Sequence, residues 1–181
     1  MRPHHVHEVL FTREQIRRRV DELIEEIAGT CEAENLVMLG VLRGSFIFLA
    51  DLVRGCAKHD LHPRIDFITL SSYGCGTDST GTVRLCHDTD QDLRGADVVV
   101  VDDILDSGRT MAFAKELFLK RGARSVKVCV LLDKKTRRAV DIQADYAGFP
   151  VGDAFVVGYG LDYNNCYREL PHIAVITFLD K

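Results

Sequence analysis

The feature that most constrains this chain is the run Val98-Val99-Val100-Val101, which ends abruptly on Asp102-Asp103. Consecutive β-branched residues without polar alternation describe a strand buried on both faces, and such strands belong to parallel sheets covered by helices. Leu36 to Leu42, Ile65 to Leu70 and Val126 to Leu132 repeat the pattern. Helical signals lie between these runs. Thr12 and Gln15 have the spacing of a capping box, Ile16, Val20, Leu23, Ile24 and Ile27 follow at helical intervals, and Gly29 is placed to stop the helix. Phe46 to Arg54 reads as a second helix ended by Gly55. Met111, Phe113, Ala114, Leu117 and Phe118 give a third its apolar face, with Gly122 at its end. Thr82 to Leu85, Phe155 to Val157 and Ile173 to Thr177 are shorter strand candidates. Strand and helix alternating in this way predict an α/β fold with a largely parallel sheet flanked by helices. No linker, repeat or low-complexity tract divides residues 1–181, which read as a single domain.

Composition narrows the partners. A net charge of −4 gives no general pull toward nucleic acid or an anionic membrane, so a phosphate would have to be held locally. Phe46 to Ala50 and Val98 to Val101, the longest apolar stretches, are far too short to span a bilayer. Met1 to Leu10 is rich in His and lacks the apolar core of a signal peptide, so a cytosolic location is expected. The cysteines, Cys31, Cys56, Cys75, Cys86, Cys129 and Cys166, form no C-x-x-C pair. That argues against a zinc site and reads as buried or surface thiols. His4, His5 and His7 read as part of a mobile terminal segment, not as a metal site.

The valine run feeds Asp102-Asp103-Ile104-Leu105-Asp106-Ser107-Gly108-Arg109-Thr110, read as the loop that follows it. Ligands of open α/β sheets sit beyond the carboxyl ends of the strands. Backbone N–H groups at a helix start, with a glycine for close approach and two hydroxyls nearby, make an anion cradle. Adjacent carboxylates can accept hydrogen bonds from vicinal hydroxyls or attract Mg²⁺. A ligand carrying both a diol and a phosphate accounts for both halves, whereas a solvated acidic turn that merely caps a helix accounts for neither Gly108 nor the paired acids. The loop is neither a Walker phosphate loop nor a dinucleotide fingerprint, because the glycines are too few and Gly-Lys-Ser/Thr is missing. Ser71 to Gly81, rich in Ser, Thr, Gly, Cys and Asp, reads as a long loop.

The Asp102 to Thr110 segment closely resembles the PRPP-binding motif of type I phosphoribosyltransferases. Leu39 to Gly44, Ser71 to Gly74, Leu131 to Lys134, Phe155 to Tyr163 and Arg168 to Pro171 resemble, in order, motifs of the hypoxanthine-guanine phosphoribosyltransferase family. The resemblance runs from about Leu10 to Ile176 and implies a type I phosphoribosyltransferase fold with a small hood. It implies Mg²⁺ as cofactor and, as partners, a 6-oxopurine base and 5-phosphoribosyl-1-pyrophosphate (PRPP), with a homodimer or homotetramer as the working assembly.

The same resemblance implies roles. Asp102 and Asp103 would bind the ribose hydroxyls and, with Asp162, the metal. The family usually has Glu first, so Asp102 shortens the reach by one methylene. Asp106 would assist proton transfer at the purine's imidazole nitrogen, and a carboxylate beside other carboxylates tends to hold its proton. Asp106, Ser107, Gly108, Arg109 and Thr110 would form the 5′-phosphate loop, with the Arg109 side chain left to solvent. Arg43, Gly44 and Arg168 would contact pyrophosphate. Lys134 would donate to the 6-oxo group, Phe155 would stack on the base, and Val156 would read it through its backbone beside Asp162. Ser72 and Tyr73 would begin a lid that excludes water. A transferase of different base preference, such as xanthine, and a non-enzymatic sensor of PRPP or nucleotides are the competing readings.

Overall fold

The computed structural model describes residues 2–71 and 83–179, so the Ser72-Tyr73 lid assignment lies outside the described residues. The main sheet has six strands in the order β4-β3-β2-β5-β6-β7. These are β2 (Leu36–Val41), β3 (Arg64–Ser71), β4 (Arg84–His87), β5 (Asp97–Leu105), β6 (Ser125–Asp133) and β7 (Tyr146–Pro150). All neighbouring pairs are parallel except β3 with β4, as the largely parallel expectation requires. A smaller antiparallel sheet, the hood, has the order β1-β9-β8, with β1 (His4–Phe11), β8 (Phe155–Val157) and β9 (Ile173–Phe178).

Among the described residues three α-helices complete the layers: α1 (Arg13–Ala28), α2 (Phe46–Cys56) and α3 (Arg109–Lys120). Successive side chains of a strand point to opposite faces, and the core divides accordingly. Leu36, Met38, Val99, Val101, Cys129 and Leu131 pack with Leu23, Ile24, Phe48 and Leu52 of α1 and α2. Val37, Leu39, Val98, Val100, Val128 and Val130 pack with Met111, Ala114 and Phe118 of α3. The unbroken apolar runs of β2, β5 and β6 are thus explained by burial on both sides. Val156, Tyr159, Leu161 and Ile173 join the first of these clusters and seat the hood on the α1–α2 side.

Local chemistry sets the helix ends. Thr12 and Gln15 form the predicted reciprocal capping box, and Gly29 is the C-cap of α1. Gly122, at φ +88°, follows the end of α3 in the left-handed conformation that terminates helices. Gly55 does not stop α2. It lies inside the helix, where any side chain would strike Ile24 of α1, so it serves close helix packing.

Other expectations need correction. The His-rich N-terminal segment is strand β1, paired with β9 from His4↔Phe178 to Phe11↔Ile173. Strand β7 lacked a long apolar run and was not anticipated; its Tyr146 is buried. Asp102 and Asp103 are not in the loop but within β5, which runs on to Leu105. Cys31, Cys56 and Cys129 are buried free thiols and Cys166 an exposed one, while Cys86 is disulfide-bonded, which its spacing did not signal. Among the described residues no helix is long and apolar enough to cross a membrane.

Candidate active site

Strands β2 and β5 are neighbours in the sheet, and the chain leaves them toward opposite edges. At such a switch point a crevice opens beyond the carboxyl ends of the strands. Arg43-Gly44 follows β2, and Asp102 to Thr110 ends β5. The Leu42-Arg43 peptide is cis, which the sequence could not indicate. A side chain on Gly44 would collide with the Asp103 carboxylate, so the two loops meet at this point.

The second half of the turn has the geometry of an anion cradle. Gly108, at φ +82°, is the N-cap of α3, a conformation that favours glycine, and no side chain caps this helix. Arg109 N–H is only loosely held by Ser107 Oγ, at 3.5 Å. The first-turn N–H groups of α3 therefore remain available to an anion. The Arg109 side chain is exposed and Thr110 half-buried. Asp106 Oδ1 is the only buried side-chain oxygen or nitrogen among the described residues that lacks a hydrogen-bond partner. An orphaned buried acceptor beside uncapped amides is what a polar ligand would satisfy.

The acidic pair is electrostatically loaded. Burial, and then the charge of Asp103, push the Asp102 carboxyl well above the usual carboxylate range. Burial also raises Asp103, partly opposed by the positive charge of Arg168. No group of three or more His, Cys, Asp or Glu side chains among the described residues could hold a metal alone. Magnesium typically takes one or two carboxylates plus substrate oxygens and water, so adjacent, mutually repelling carboxylates fit it.

The hood supplies the remaining groups. Gly160, at φ +103°, lies against the Gly44 carbonyl so closely that a side chain would not fit. Arg168 Nη1 donates to the Gly160 carbonyl at 2.5 Å, and Arg168 Nη2 pairs with Asp162 Oδ1 at 2.6 Å. Arg168, Asp162, Gly44 and Asp103 are thereby brought together, although Asp162 and Arg168 neutralise each other in this structure. On the other flank Lys134 is 6% exposed, with its Nζ 3.2 Å from both the Ala154 carbonyl and Asp153 Oδ1. Its backbone N–H donates to the Leu105 carbonyl, one residue before Asp106. Phe155, next to Ala154, is 44% exposed and stands edge-on to Tyr163 and Phe178, with centroids 5.7 and 5.6 Å away. Val156 is buried and pairs with Val175.

Several contributors escaped the sequence reading. Asp153 is the counterion of Lys134 and is itself held by Arg137 Nε at 2.6 Å. His4 Nε2 shares a hydrogen bond with Tyr167 Oη at 2.8 Å, and its ring stands edge-on to Tyr163, behind Phe155. Nothing in a terminal histidine announces a contact with a residue more than 150 positions away.

A doubly covered, largely parallel sheet with a helix-start anion cradle, a paired-acid strand end and a buried lysine near an exposed aromatic fits a transferase that handles a sugar phosphate. A family model described as the phosphoribosyl transferase domain matches residues 8–164. The chain is 41% identical over 179 residues to the hypoxanthine phosphoribosyltransferase of Salmonella typhimurium, covering 98% of this chain and 99% of that protein. It is 44% identical over 177 residues to the hypoxanthine-guanine phosphoribosyltransferase of Bacillus subtilis, covering 97% and 96% respectively. A crystal structure of a hypoxanthine-guanine phosphoribosyltransferase from Bacillus anthracis superimposes with a TM-score of 0.86 at 40% identity, covering 97% of this chain and all of that one. The chain belongs to the phosphoribosyltransferase family, with the type I fold that its motifs implied.

Proposed function

We propose that this protein is a purine salvage enzyme that joins hypoxanthine, guanine or both to PRPP, releasing pyrophosphate and forming IMP or GMP. One observation carries the reading: the phosphate turn and the Lys134–Phe155 pair lie at the same end of the sheet, joined through the Leu105 carbonyl. A base and a sugar phosphate held there would be neighbours. Similarity to the relatives above supports the same reaction.

The division of labour is the one the family resemblance implies, and the geometry described above supports it. The α3 N-terminus with Ser107, Gly108, Arg109 and Thr110 holds the 5′-phosphate, and Asp102 and Asp103 orient the ribose hydroxyls. Arg43, Gly44 and Arg168 receive the pyrophosphate, so Arg168 must exchange Asp162 for its ligand. Lys134 donates to the 6-oxo group and Phe155 stacks on the ring, with Val156 and Asp162 beside them. Asp106 takes or returns the proton of the attacking imidazole nitrogen through its free Oδ1. Bound magnesium supplies charge neutralisation of the leaving pyrophosphate, and Asp102, Asp103 and Asp162 are the residues that would hold it. The enzyme acts as a single domain in the cytosol, as a homodimer or homotetramer, without nucleic-acid or membrane partners.

The test is a spectrophotometric assay with PRPP and magnesium, offering hypoxanthine, guanine, xanthine and adenine in parallel. Turnover of the 6-oxopurines is expected. Turnover of adenine alone overturns the base assignment, and no turnover with any base points to a PRPP-sensing protein.

A further inference from the structure

The phosphate turn is seated on a segment that none of the roles above uses. A side chain on Gly108 would fall 2.5 Å from Ile142 Cγ2, 3.0 Å from Arg138 Cδ and 3.1 Å from Val140 Cγ2, so residues 138–142 form its floor. Ala139 N–H donates to the Ser107 carbonyl at 2.9 Å, fixing the turn from the same side.

Arg138 is the residue of this floor that also reaches the base side. Its Nη2 donates to Asp133 Oδ1 at 2.5 Å and lies 3.5 Å from the Leu105 carbonyl, while Nη1 donates to the Ile142 carbonyl at 3.0 Å. Asp133 precedes Lys134 and is 7% exposed. The Leu105 carbonyl is the atom that also accepts from Lys134 N–H. The guanidinium thus faces the residue before the purine-binding lysine and the residue before the proton-transfer aspartate, while the Cδ of the same side chain lies under the glycine of the phosphate turn. Only a planar fork with several fixed donors satisfies a carboxylate and two carbonyls at once; an ammonium is a point charge on a flexible stem.

We propose that Arg138, anchored by Asp133, is a positioning residue that holds the phosphate turn in register with the base-binding strand end, so that the anomeric carbon and the purine nitrogen meet in line. It touches no substrate. Its effect is on the spacing between two subsites, and a misplacement of about 1 Å between reacting groups can cost about a hundredfold in rate. The proposal rests on the transferase reading given above.

The test compares Arg138→Met, Arg138→Lys and Asp133→Asn with wild type. Wild type is assayed first, and its failure to turn over any base would refute the transferase reading without bearing on Arg138. With an active wild type, Arg138→Met is expected to lower kcat about 10- to 100-fold and raise the KM for PRPP about tenfold. Arg138→Lys, which keeps the charge but not the fork, should recover only part of the loss. Asp133→Asn is the cross-check: it lies on the base side, yet it should raise the KM for PRPP severalfold. Active-site titration with a tight-binding nucleotide product reports the folded, competent fraction. If Arg138→Met keeps kcat and both KM values within twofold, the proposal is overturned. It is equally overturned if every loss scales with the competent fraction, since Arg138 would then be a stability residue. Should Arg138→Met not fold, an unchanged PRPP KM in soluble Asp133→Asn overturns it instead.

Discussion

A carboxylate's neighbours decide what it can do, and the aspartates of this site divide the work by surroundings. Asp106 has a buried oxygen with no partner, while Asp162 is already paired with Arg168. On the proposed function the first is free to handle a proton, and the second would have to give up an ion pair to hold a metal. Asp106→Asn keeps the shape and removes the basicity, so kcat should fall by about 10²-fold or more with little change in PRPP affinity. Steady-state kinetics with hypoxanthine checks this, and an unchanged kcat would remove Asp106 from the acid/base role. Candidate residues were legible at this scale because a dense acidic turn opening a helix is unusual in sequence. Their partners were not. Lys134 sits in a run of basic residues that looks solvated, and only the folded β6 shows it 6% exposed against Asp153 and Ala154.

Strand β5 carries Asp97 at its start and Asp102 and Asp103 toward its end, and the surroundings of Asp97 and Asp102 push their carboxyls in opposite directions. At its start Asp97 is buried and accepts from the Arg124 guanidinium, from Ser125 Oγ and from Glu32 N–H. The Arg124 contact, which leads, holds its carboxyl far below the usual range. A depressed carboxyl contributes stability above its unfolded pKa of about 3.9 and loses it as pH falls through the folded value. Asp97→Asn should therefore melt lower than wild type at pH 7, with the gap closing in acid. Toward the other end Asp102 is displaced upward by burial and by Asp103. A raised carboxyl contributes below its unfolded pKa, and that contribution is lost as pH rises through the folded value. Asp102→Asn should melt higher than wild type at neutral pH, with the difference vanishing below about pH 4, while its KM for PRPP rises. Thermal melts from pH 3 to 8 test both; the same sign for the two variants would refute the contrast. The element itself was read correctly up to Val101 and misread beyond it. Polar residues ended the apolar pattern, but β5 keeps its ladder with β6 through Leu105↔Asp133.

For the whole molecule, the central strands β2, β5 and β6 of the main sheet were legible because burial on both faces writes itself as unbroken apolar runs, whereas its edge strand β7 was not. The hood was only half legible. Its strands β8 and β9 are apolar, yet β1 mixes histidines with valines, and its pairing is with residues at the other end of the chain. Removing residues 2–8 should leave Phe155 on a two-stranded remnant, which is a marginal unit. The KM for hypoxanthine should then rise more than that for PRPP; equal changes in both would mean that β1 does not serve the base side.

The contact of Gly160 with the Gly44 carbonyl has a mechanical consequence. The segment that leaves β8 lies there with bare backbone on the turn that precedes α2, with no side chain at that point to yield. On the proposed function, any displacement of this backbone when a base meets Phe155 would press directly on the turn bearing Arg43.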